Sequence, residues 1–125
     1  MLSSPATDEQ RATLLAAASG MLVTGTAGDL DAYLAHDVTF HTTLLEASGN
    51  AAFASLAPIV AEALKGRTHH HLMPARPVAD AIRWHREIAE AVTIGDAAAA
   101  ERHARSIVAE AQGAVDQDAR ELGVQ

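Results

Sequence analysis

Apolar positions along this chain recur at helical rather than strand spacing. Leu14, Leu15, Ala18, Met21 and Leu22 repeat at intervals of three and four. Ahead of them Thr7-Asp8-Glu9-Gln10 has the form of a capping box, in which a Thr and a Gln side chain each satisfy the other's backbone N–H. The spacing predicts a first helix over 8–24, closed by Gly25 and Gly28. A second helix, over 29–47, opens at Asp29 and carries Leu30, Leu34, Asp37, His41, Leu44, Leu45 and Ser48 along its inward side. Ser48-Gly49-Asn50 ends it, with Gly suited to the helix end and Asn to the next N-cap. A third helix is expected over 51–69, with Leu56, Ile59, Val60, Ala63 and Leu64 on its apolar face and Pro58 marking a bend or a later start. Pro77 opens a fourth, over 78–93, striped by Ile82, His85, Ile88, Ala89 and Val92. Gly95 closes that helix and Asp96 caps a fifth, over 97–119, with Ala100, His103, Ile107, Ala111 and Ala114 on one face. Glu121 to Gln125 read as a frayed tail. The pattern predicts an all-α, antiparallel helical bundle with short loops.

Composition agrees. A chain of 125 residues makes one domain with a real core but not two. Alanine is abundant and aromatics are scarce, which favours helices over sheets. The absence of cysteine removes both disulfides and thiolate metal sites. No apolar run approaches the roughly 18 residues of a membrane span. The first ten residues lack the basic start and apolar stretch of a signal peptide, so a cytoplasmic protein is expected. A net charge of -7, with no basic stripe, argues against this chain gripping a phosphate backbone itself.

Candidate chemistry centres on Asp37 and His41, four residues apart in D-V-T-F-H. One helical turn separates them, so carboxylate and imidazole can point at one spot. Oxygen and imidazole donors suit Zn, Ni, Fe or Mn. His85 and His103 each lie on a predicted apolar stripe, which makes four donors from separate helices. A charge in an apolar stripe is costly unless paired or metal-bound. The plainer alternative is an ordinary buried hydrogen-bonded pair. His69-His70-His71 is a weaker candidate, since only one or two adjacent residues can face any single point. Arg67 lies at the end of the third helix's apolar stripe, where a cation can either reach inward or stay solvated and favoured by the helix dipole.

Two stretches carry a family resemblance: D-V-T-F-H-T-T-L-L-E-A-S-G-N at 37–50 and W-H-R-E-I-A-E-A-V-T-I-G-D at 84–96. Over about residues 9–115 the chain resembles the FCD domain, the C-terminal effector-binding domain of FadR-type GntR transcriptional regulators. The resemblance implies a helical bundle around a pocket, often with a divalent metal and a small carboxylate effector. It implies metal ligands at Asp37, His41 and His85, and a fourth at position 107. This chain has Ile107 there, with His103 one turn earlier, so His103 or a water is the expected fourth donor. The family's winged helix-turn-helix has no counterpart in the sequence, nor has the effector domain's first helix, which commonly supplies an Arg to the pocket. The expectation is therefore a single effector-binding domain over 1–125, truncated at its N-terminus relative to the family, whose uncovered apolar surface favours a homodimer.

The leading functional reading is a small-molecule sensor: a metal at Asp37, His41 and His85 takes a carboxylate effector, with Arg67 as its cationic partner. A metal-dependent enzyme acting on a small carboxylate is one alternative, weakened by the lack of a general acid/base on a signature spacing such as H-E-x-x-H. Turnover would separate it from saturable binding. A dimerising domain with a vestigial pocket is the other, supported by Ile107. Metal content and mass in solution discriminate it.

Overall fold

The computed structural model describes residues 6–69, 79–96, 98–99 and 101–109, with side chains described throughout these except at 67–69 and 79–81. Five helices run in chain order: α1 (Asp8–Ala27), α2 (Leu30–Ala47), α3 (Ala51–Ala54), α4 (Ala57–His69) and α5 (Ala79–Thr93). A sixth, α6, is helical at 98–99 and 101–109. No strand occurs among the described residues, and the architecture is the all-α bundle that the spacing predicted. The predicted continuation of the last helix to 119, its inward Ala100, Ala111 and Ala114, and the tail lie outside the described residues, as do His70 and His71.

Local chemistry explains most of the boundaries. The capping box forms: Gln10 N–H donates to Thr7 Oγ1 at 3.0 Å and Thr7 N–H to Gln10 Oε1 at 2.9 Å. Asp29 caps α2 by accepting from Ala32 N–H, and Asp96 accepts from Ala99 N–H at the start of α6. The Ser48-Gly49-Asn50 break uses all three residues. Ser48 Oγ donates to the Leu45 carbonyl and accepts from Asn50 N–H, Gly49 takes φ 73°, and Asn50 Oδ1 accepts from Ala52 and Phe53 N–H.

The predicted third helix is two. Inside one continuous helix the Pro58 ring would collide with the carbonyl of Ala54 and leave that carbonyl without its N–H donor. The chain instead stops α3 at Ala54, turns at Ser55 and Leu56, and restarts, so that Pro58 sits in the first turn of α4 where no N–H is needed.

α2 is the spine of the bundle, packing on α1, α3 and α4, while α1 also packs on α5. Phe40, Leu44, Leu45, Leu14, Met21 and Ile88 form the centre of the core. The whole predicted α5 stripe is buried, namely Ile82, His85, Ile88, Ala89 and Val92. In α4, Val60 and Leu64 face inward but Ile59 is exposed. The predicted inward face of α1 needs correction. Leu14, Ala18 and Met21 are buried as expected, whereas Leu15 and Leu22 face out, and Ala17 and Gly25 take the inward places. Gly25 does not end α1, which runs on to a left-handed cap at Gly28 (φ 74°). Gly25 is instead a close-packing point: a Cβ there would meet Ile82 Cδ1 at 2.9 Å and the Tyr33 ring at 3.2 Å.

Candidate metal centre

α2 offers Asp37 and His41 from consecutive turns of its buried side, and α5 offers His85 from across the bundle. The two helices are not among the pairs that pack closely along their length. Their side chains meet across the space between them. Asp37 Oδ1 lies 2.8 Å from His41 Nε2 and 3.5 Å from His85 Nε2, and the two Nε2 atoms are 3.1 Å apart. Residue exposure is only 2% for Asp37 and 6% for each histidine. Trp84 and Phe40 hold the rings. Phe40 is edge-on to both His41 and His85, at centroid distances of 5.5 and 4.8 Å, and Trp84 is edge-on to His85 at 4.9 Å. Neither aromatic is a donor, so a search for ligating residue types passes over them. Their signal in the sequence is adjacency, since each directly precedes a site histidine.

Asp37 is ionised at neutral pH. Burial pushes its carboxyl upward, but the His41 and His85 rings beside it outweigh that and hold it well below the usual carboxylate range. Proximity is nonetheless not good hydrogen bonding. Asp37 Oδ1 is buried with no aligned donor among the described residues, despite the short contact to His41, and His41 Nδ1 is likewise buried without a partner. An anionic oxygen left like this in a dry interior is costly.

The donor set fits a divalent cation. One carboxylate and two imidazoles with mutual ligand-atom separations within 4.8 Å are the one such group among the described residues. Two donors each about 2.1 Å from a shared ion stand about 3.0 Å apart at a right angle and about 3.4 Å apart at the tetrahedral angle. The observed 2.8, 3.1 and 3.5 Å span both values. An ion would also relieve the orphaned Asp37 oxygen.

His103 is not brought into this group. It is half-buried on α6 with its ring edge-on to Trp84 at 5.9 Å, the same indole that is edge-on to His85. The inward residues of α6 are Ala99, Ala104 and Ile107, all buried. Burial lowers the His103 pKa, the Arg102 charge adds to that, and Asp96 partly opposes it. Arg67 lies in the backbone of α4, and its side chain falls outside the described residues.

Comparison with known proteins agrees with this architecture. The family model of the FCD domain matches residues 2–110. No curated protein and no solved structure gives a significant match. FCD domains are ligand-sensing regulatory modules rather than catalytic ones, a class that suits a buried donor cluster held inside a helical bundle. With the match spanning all of the described residues, this protein belongs to the FCD domain family, the effector-binding domains of FadR-type GntR regulators.

Proposed function

We propose that this domain senses a small carboxylate effector through a divalent metal ion held by Asp37, His41 and His85, and that it serves a GntR-type transcriptional regulator. The observation that carries the reading is the buried three-donor group itself, with one carboxylate oxygen that no protein donor satisfies. A bound ion, of the Zn, Ni, Fe or Mn class, would supply a fixed positive charge to which a carboxylate attaches. Asp37 brings the compensating negative charge, and Phe40 and Trp84 keep the two imidazoles from turning away. Because His103 is engaged with Trp84 and Ile107 has no lone pair, the remaining coordination falls to water or to the effector. Arg67, on a helix that packs against α2, is the proposed cationic partner for the effector.

The effector-binding domain spans residues 1–125 and works as a cytoplasmic homodimer without direct contact to nucleic acid. Its acidic charge fits the last point. No helix among the described residues is long and apolar enough to cross a membrane.

The test is calorimetric titration of tag-free protein with Zn, Ni and Mn, followed by carboxylates in the presence and absence of the preferred ion. Stoichiometric metal uptake and metal-dependent carboxylate binding are expected. Ile107 favours a second reading, a dimerising domain with a vestigial pocket. Protein that takes up neither metal nor carboxylate would decide for that reading.

A further inference from the structure

Glycine weakens a helix interior relative to alanine. α1 is rich in alanine yet carries glycine at two interior places, Gly20 and Gly25. Neither takes a positive φ, so backbone conformation does not call for glycine at either. Crowding accounts for them. A Cβ at Gly20 would meet the His36 ring of α2 at 2.5 Å, and a Cβ at Gly25 would meet Ile82 Cδ1 of α5 at 2.9 Å and the Tyr33 ring of α2 at 3.2 Å. A helical glycine need not be a packing point, since a Cβ at Gly66 in α4 would meet nothing within 4 Å. Gly25 differs from Gly20 in touching both helices that carry the metal donors. Tyr33 lies one turn before Asp37 on α2, and Ile82 lies just under one turn before His85 on α5. α5 packs closely on α1 and, among the described residues, not on α2, α3 or α4. The separation of the donor helices is therefore set through α1.

We propose that Gly25 is a positioning residue for the metal centre. Its missing side chain lets Tyr33 and Ile82 close on one point of α1, and so fixes how far His85 stands from Asp37 and His41. The functional meaning rests on the metal reading proposed above, whereas the spacing itself is a property of the metal-free protein. Magnitudes favour a movement of the helix over a movement of side chains. Carbon atoms in contact lie about 3.5–4.0 Å apart, so a methyl at Gly25 is short of room by roughly 0.6–1.1 Å toward Ile82. Ile82 and Tyr33 are both buried and cannot swing into solvent, unlike the half-buried His36 opposite Gly20. α5 must give instead, and it carries His85 with it. The His85 Nε2 atom now stands 3.1 Å from His41 Nε2 and 3.5 Å from Asp37 Oδ1. Metal–ligand distances tolerate only about 0.2 Å, so a displacement of even half the shortfall exceeds what a shared ion accepts.

The test uses the full-length, tag-free protein with Zn calorimetry and with Co(II), whose visible absorption reports coordination geometry. Gly25→Ala should weaken Zn binding about tenfold or more, the range that disturbing a ligand's support costs, and should change the Co(II) spectrum. Ile82→Val in the Gly25→Ala background removes the δ-methyl that the new Cβ meets, and should return both readouts close to the parent. General loosening predicts the reverse, because Ile82→Val by itself further depletes the core. Gly20→Ala, which presses on α2 alone, should leave both readouts unchanged. A parent-like spectrum and affinity in Gly25→Ala overturn the proposal, as does a loss that Ile82→Val deepens or that Gly20→Ala matches. If Gly25→Ala does not fold, the double variant decides: recovery of fold and spectrum supports the role of Gly25, and failure overturns it. Parent protein that takes up no metal overturns the sensor reading instead. The spacing is then read in metal-free protein by nuclear Overhauser contacts from the His85 ring to the Phe40 and His41 rings, at centroid distances of 4.8 and 5.1 Å. These should weaken in Gly25→Ala and recover in the double variant, and contacts left unchanged by Gly25→Ala overturn the positioning role on its own.

Discussion

His85 and His103 invite comparison. Each lies on a late helix and, by its spacing, on an apolar stripe. By spacing they are equal candidates, yet His85 sits 3.1 Å from His41 inside the buried cluster while His103 is half-buried with its ring against Trp84. The difference is one of helix phase. On α5 the charged residues Arg83, Arg86, Glu87 and Glu90 claim the outer face, so the polar pattern itself turns His85 inward. On α6 the alanines leave several phases nearly equal in apolarity, and the core selects Ala104 and Ile107. His103, one residue before Ala104, meets the Trp84 ring instead.

The largest effect expected from this contrast is at the inner pair. His41→Ala and His85→Ala each leave two donors and should abolish metal uptake in a calorimetric titration, a loss of at least a hundredfold. Each should also remove the fluorescence change of the single tryptophan on metal addition, since Trp84 lies 4.9 Å from the His85 ring. Retained affinity in His41→Ala would show that the site has been misplaced. Acidification should act in the same direction, because imidazole must be neutral to ligate. Metal release is therefore expected on acidification. Metal-free protein has a separate acid limb. Asp37 has its carboxyl held below the ordinary 3.8, so an unfolded chain takes up that proton first. Its contribution to stability is complete above about pH 4 and is lost as pH drops further. Asp37→Asn should flatten the fall in denaturation midpoint over that window.

The same reasoning about phase explains how much could be read in advance. Asp37 and His41 were legible because one turn of one helix fixes their relation, whatever surrounds them. The α5 stripe was legible because charge marks its opposite face. α1 is not, since with no charge after Arg11 its pattern has no polar side to set the phase, and spacing points Leu15 and Leu22 inward where the core uses Ala17 and Gly25. The break before Pro58 was foreseeable as a bend or late start, and its exact place followed from the carbonyl of Ala54. What no periodicity encodes is the tertiary meeting of Trp84 with His103, which is left against the indole and outside the donor group.

Ile107→His sharpens the comparison by moving a donor to the inward side of α6. If α6 approaches the cluster as in the rest of the family, metal affinity should rise roughly tenfold, about 1.4 kcal/mol. The cost falls on the metal-free protein. Ile107 is 4% exposed in an apolar setting, and a buried imidazole there should lower its thermal midpoint by several degrees, an effect that saturating metal reverses. A lowered midpoint with no gain in affinity would mean that position 107 lies out of reach and that water or effector alone completes the coordination.

The smallest effect is expected at His103. Its ring touches Trp84 rather than the donor group, so His103→Ala should change metal affinity less than twofold in the titration that His41→Ala abolishes. A large loss would reverse the assignment and make His103 a ligand reached by a shift of α6. The variant should still leave a trace in the pH dependence of folding. Burial and the neighbouring Arg102 hold the His103 pKa below its ordinary 6.5, so on acidification the unfolded chain binds that proton before the folded one does. The stabilising contribution is whole above about pH 6.5 and is lost as pH falls through the depressed folded value. Removing the imidazole removes that loss, so metal-free His103→Ala should decline less steeply in stability between pH 7 and 5 than the parent. The ring is only partly buried, which keeps the difference small, and urea denaturation in matched buffers across that range measures it. An equal slope in both proteins would mean that the ring is charged as readily in the folded chain as in the unfolded one, and that the indole shields it from the cluster without drying it.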